Sequence, residues 1–179
     1  MLGGGDSGGP LGWTAPPRMI GGHATGALVI ARSDGLVVAL RQILAYPTGF
    51  EIEIEAHARG ASPGGPPPDP SEVHTHGQPD FRLRLADGTD VREGDKIGFR
   101  GGHGPMLVLS SAGSSWGSDP TGREDFRLTL WAWPLPPPGP LTLISTWPRR
   151  GLDETYLALD GEAIRAAALR AEPFWTMES

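Results

Sequence analysis

Three groups of side chains in this 179-residue chain have types and spacings that could do chemistry. His74-Thr75-His76 sets two imidazoles at i and i+2. In extended backbone both project to one side and can share a metal ion, and Asp80 supplies a carboxylate four residues after His76. His57 and His103 could complete such a shell if the fold brought them close. Glu51, Glu53 and Glu55 form the second group, a row of carboxylates about 6.6 to 6.8 Å apart along one strand face. That spacing suits an acid–base pair for inverting glycoside hydrolysis, but a flat row on one strand leaves no room for a sugar between the two groups. A ladder of ion pairs with Arg82, Arg84 and Arg127 is the expected reading. Trp131 and Trp133 form the third group. They share a strand face opposite Leu128, Leu130 and Ala132, where two half-covered rings could stack on a sugar or anchor a partner. Trp116, in a serine-rich loop, joins them as a candidate binding residue. The Pro-rich segment 134–140 or a terminal helix could instead cover these rings.

Several strings match known motifs only in part. Gly5-Asp6-Ser7-Gly8-Gly9-Pro10 matches the nucleophile loop of chymotrypsin-like serine proteases letter for letter. In that family the catalytic His and Asp both precede the Ser, and here no His stands before Ser7, so no catalytic residue is assigned. The His74, His76 and Asp80 set resembles the metal motif of cupin-like double-stranded β-helices, which implies a metal-dependent enzyme built on a barrel. Pro68 stands where that motif has a leading Gly. Gly101-Gly102-His103-Gly104-Pro105 lacks the Lys-Ser/Thr of a phosphate-cradling loop and reads as a turn.

Composition narrows the classes further. Cysteine is absent, which removes thiolate nucleophiles, disulfides and Cys-bearing zinc sites. The formal charge is −6, so the field of the whole molecule opposes a phosphate backbone, and nucleic acid is not an expected partner. Lys96 is the only lysine, and the arginine bias accompanies a wealth of Ala, Gly and Pro, as codon usage in a GC-rich genome would impose. No apolar run approaches bilayer length and no leader pattern opens the sequence, so neither membrane nor export is expected, and a cytoplasmic setting is the default. Gly (27) and Pro (19) make up about a quarter of the chain. They concentrate at 1–22, 60–70, 101–105 and 134–140, which predicts a flexible tail over 1–22 and one domain over 23–179 with a mobile loop at 60–79.

Between these marks the apolar residues recur with period two. Strands are expected at 27–32, 36–46, 50–57, 81–85, 96–100, 106–110, 126–133, 141–147 and 155–159, the first two joined at Ser33-Asp34-Gly35. Eight or nine short strands at this spacing predict an all-β, antiparallel sandwich. After Asp160-Gly161 an Ala-rich stretch predicts the one substantial helix over 162–172, stopped by Pro173, with Phe174 and Trp175 docking behind it. Asp80-Phe81-Arg82-Leu83-Arg84-Leu85 recurs nearly unchanged at 125–130, which reads as two sandwich strands meeting the same core requirement.

The C-terminal third carries Trp131, Trp133-Pro134, Trp147-Pro148, Gly151, Glu154-Thr155 and Leu159-Asp160-Gly161 before the Ala-rich helix. In this it resembles an uncharacterised family of small all-β proteins from high-GC bacteria. The resemblance spans about residues 125–175 and implies the fold but no activity. The preferred functional expectation is a non-catalytic sandwich that binds another protein or a polymer through an aromatic patch, without a cofactor. The cupin-like enzyme and a carbohydrate-binding module are the alternatives.

Overall fold

A computed structural model describes residues 16, 18–59, 79–94, 104–115 and 124–175. The alternating segments form strands wherever they fall among these residues. In chain order these are β1 (Met19–Ile20), β2 (Gly22–Thr25), β3 (Leu28–Ser33), β4 (Leu36–Ala45), β5 (Phe50–Ala58), β6 (Asp80–Arg84), β7 (Asp90–Arg92), β8 (Met106–Ser115), β9 (Glu124–Trp133), β10 (Pro140–Trp147) and β11 (Leu152–Asp160). Helix α1 (Gly161–Ala168) and β12 (Glu172–Pro173) follow.

One sheet runs β2-β4-β5-β9-β8, with β3 also paired to β4; the second runs β11-β10-β6-β7; and β1 pairs with β12 as a separate ribbon. All these strand pairings are antiparallel. The architecture is therefore the expected all-β sandwich, and its strand count rises above nine because β1, β2, β7 and β12 are too short to show a period. The strand expected at 96–100 and most of the expected loop at 60–79 lie outside the described residues.

The core sits where the two inner faces meet. Phe50, Ile52, Ile54 and Ala56 of β5 are buried while Glu51, Glu53 and Glu55 are half-buried, as strict alternation requires. On β4 the buried set changes phase, from Leu36, Val38 and Leu40 to Ile43 and Ala45. A bulge between Leu40 and Gln42 accounts for this, since the extra residue returns the apolar set to the same face. Phe81, Leu83, Leu141 and Leu143 of the second sheet complete the core. Phe126 and Trp147 meet edge to face across it, ring centroids 5.0 Å apart. Each such side chain contributes about 1.5–3 kcal/mol on burial, several times an exposed ion pair. The recurring hexapeptide illustrates the demand: Phe81 and Leu83 face the core from one sheet, Phe126 and Leu128 from the other.

Helix α1 closes one end of the sandwich. Asp160 caps it, its carboxylate accepting from the N–H groups of Glu162 (2.9 Å) and Ala163 (3.2 Å). Ile164, Ala167 and Ala168 join the core. The helix ends at Ala168 and not at 172, because Glu172 and Pro173 are taken into the ribbon with Ile20 and Met19. Phe174 does not dock behind the helix: its N–H donates to Arg18 O at 2.9 Å, and its side chain is 56% exposed and that of Trp175 74%. The expected boundary at residue 22 also moves. Met19–Ile20 belong to the ribbon, and Gly22 lies in β2 against the Ala167 carbonyl, so the folded body takes in residues assigned to the tail.

Candidate functional site

The outer face of the first sheet carries the carboxylate row and the tryptophans. Trp131 stands beside Glu51 on β5 and Val108 on β8. It is not half-covered: its exposure is 0%. The Tyr46 ring lies over it at 5.9 Å and 59°, and the Gly49 backbone comes so close that a Cβ there would meet the indole at 2.7 Å. The outer face has a small apolar cover of its own at this end, so Trp131 is not available as part of an exposed patch. Trp133 is half-buried, and Trp116 lies outside the described residues.

Two carboxylates of the row, Glu51 and Glu55, are held by different partners. Tyr46 Oη donates to Glu51 Oε2 at 3.1 Å, and burial raises the Glu51 carboxyl above the ordinary range, an effect the Tyr46 bond partly opposes and the Glu53 charge reinforces. Glu55 pairs with Arg41 at 3.3 Å. His57 sits 2.6 Å from Asp125 through Nδ1 and 3.9 Å from Glu55 through Nε2. The ladder is therefore not the one expected. Arg82 pairs with Glu154, and Arg84 with Asp90 at 2.8 Å, both on the second sheet, while Arg127 stands opposite Glu55 in register.

Tyr46 gives this face a measurable signature. Burial first, then the Glu51 charge and hydrogen bond and the Glu53 charge, push its hydroxyl from 10.0 up to about 12. The folded chain keeps this proton where the unfolded chain has lost it. The associated stability is present below pH 10 and is lost as pH rises toward 12. Denaturant unfolding across that range should show the decline, and Tyr46→Phe should flatten it. A wild-type slope equal to that of the variant would contradict the assignment.

Of the metal candidates, His74, His76 and His103 lie outside the described residues. Asp80 begins β6, exposed, and its charge, after burial, raises the carboxyl of Glu93. Among the described residues no three His, Asp or Glu groups come together as a metal site. Ser7 and residues 101–103 also fall outside them.

What the structure does bring together is a cavity of about 330 Å³ at the end of the sandwich. Phe50 and Ala132 line it from the first sheet, Leu83 and Val91 from the second. Trp133 and the run Pro134–Pro137 form one wall; Leu85, Asp87 and Thr89 of the β6–β7 turn form another. Both walls are braced. Gly88 has φ +86, a conformation that favours glycine, and lets the turn close with its N–H on Leu85 O (2.9 Å). Arg165 Nη1 donates to Pro136 O (3.2 Å) and Gly161 N–H to Gly139 O (3.0 Å), tying the proline run to α1. Sequence reasoning found Trp133 but missed Leu85, Asp87, Thr89 and Met106. The one local signal was a proline run directly after an outward-facing tryptophan.

Sheet order and cavity together define an antiparallel β-sandwich with an apolar end pocket and no acid–base or metal cluster among its described lining residues. A scan against protein-family models, a search of curated proteins and a search of solved structures each gave no match.

Proposed function

We propose that the protein is a non-catalytic binding module that seats one anchoring side chain of a partner protein, through its apolar part, in the cavity beside Trp133. The observation that carries this reading is the braced apolar concavity itself, with a half-buried indole on its wall. Its volume is at the lower end of the range for ligand pockets, enough for one anchoring side chain. A tryptophan at the edge of such a depression is the residue type that dominates binding energy at interfaces. On this reading the chain works in the cytoplasm, and neither nucleic acid nor membrane is engaged. Among the described residues no helix is long and apolar enough to cross a bilayer.

Selection from a random peptide library on the immobilised full chain tests this. Enriched peptides are expected to share one anchoring residue that carries a long apolar portion, and Trp133→Ala should weaken their binding roughly 30-fold, equivalent to about 2 kcal/mol. Circular dichroism should stay β-rich in the variant. Peptides that bind parent and variant equally would place recognition elsewhere and overturn the proposal.

A further inference from the structure

The cavity is apolar but not neutral. Among the described lining residues Asp87 is the only charged side chain, and Thr89 the only other with a polar group besides the Trp133 indole. Among these same residues there is no lysine, arginine or histidine to answer that charge. The nearby guanidinium of Arg84 is already held by both Asp90 oxygens, at 2.8 and 3.1 Å. Asp87 is itself fixed, its Oδ1 accepting from the Thr89 backbone N–H at 2.9 Å. That bond, the largest influence on the group, lowers its carboxyl below the usual range and keeps it ionised. The wall also offers the Trp133 indole, whose face attracts cations. The whole chain is acidic, at −6, and its field draws a positively charged partner toward it.

We infer, building on the function proposed above, that the group seated in the cavity is a long cationic side chain, Lys or Arg, of the partner protein. Its aliphatic stem runs along Leu85, Trp133 and Pro134, and its charged head reaches the Asp87 carboxylate. Long basic side chains bury their stems in this way while the head stays at the wet rim.

Three probes of one chain length separate the contributions: n-hexylammonium, 1-hexanol and hexanoate, titrated into the full chain at neutral pH and followed by the Trp133 indole and Met106 methyl NMR signals. An exposed ion pair and a cation over an indole together favour the amine by about tenfold over the alcohol. Hexanoate should bind most weakly. Asp87→Asn keeps an oxygen for the Thr89 N–H, so the turn survives, and it should bring the amine to within about threefold of the alcohol. Equal binding of amine and alcohol to the parent, tightest binding of hexanoate, or an amine preference that survives Asp87→Asn would overturn the inference and leave the apolar seat standing. If none of the three probes moves the Trp133 and Met106 signals, the binding function itself fails.

Discussion

Trp131→Ala is expected to lower the unfolding free energy by about 3–5 kcal/mol, the range for removing a fully packed aromatic side chain. Although the ring points away from the main core, it is as buried as any residue within it. Tyr46 covers one side, the Gly49 backbone another, and Val108 and Glu51 stand beside it across the strands. Truncation leaves a void that cannot collapse, because Gly49 has no side chain to fill it and the strands are held by their ladders. In a domain of this size the loss corresponds to a melting temperature lower by roughly 6 to 20 °C. Trp133→Ala should cost clearly less, since that residue is only partly buried. Thermal unfolding of the two variants, followed by circular dichroism, separates the structural tryptophan from the binding one. A Trp131→Ala protein within 1 kcal/mol of the parent would mean that the outer-face cover is not a packed cluster.

Gly22→Ala should come next in severity. A Cβ at that position would lie 1.8 Å from Ala167 O and 2.7 Å from Ala167 C. Both are backbone atoms of α1, so no side-chain rotation relieves the overlap, and either β2 or the helix must move. Overpacking of this kind costs about 1–3 kcal/mol when the neighbours can yield, and a rigid backbone neighbour puts this variant at the upper end or beyond. Gly26 supplies the control: an added Cβ meets nothing there, and Gly26→Ala should remain within about 0.5 kcal/mol of the parent. Denaturant midpoints of the two variants decide the matter. Equal midpoints would show that α1 is not seated on β2 as described. Because α1 also ties down the proline run through Gly161 and Arg165, Gly22→Ala should weaken peptide capture as well.

How legible all this was depended on whether the partner of a residue lay nearby in the chain. β5 could be read directly, since Phe50, Ile52, Ile54 and Ala56 alternate with Glu51, Glu53 and Glu55 and burial follows that alternation. The start of α1 was equally plain, because an Asp before Gly-Glu-Ala caps locally. Its end was not: an Ala-rich run has no internal reason to stop at 168, and what stops it is the pairing of 172–173 with 19–20, at the other end of the chain. The same long-range pairing could not be read at Met19–Ile20, which period two leaves without a partner. Trp131 was placed on the correct face, but period two says only which face a residue takes, never whether that face has a cover of its own. The cavity could not be read at all. Asp87, Met106 and Trp133 are distant in sequence, and each looks locally like a turn, a strand end and an exposed ring.

One edge of the six-stranded sheet is built from two pieces. β2, of four residues, and β3, of six, both pair with β4, and each carries an irregularity, at His23/Thr25 and at Val29/Ala31. Among the described residues neither is hydrogen-bonded to a further strand on its outer side. Such an edge exposes unpaired amides and carbonyls, yet it offers an incoming strand no long straight register to copy. A second copy of the chain could match only a few residues before the break at Gly26-Ala27 threw the pairing out of step. The division of this margin therefore acts against fibrillar self-association, protecting in the crowded state of a concentrated solution a sheet whose Leu28 and Val29 remain partly open to water.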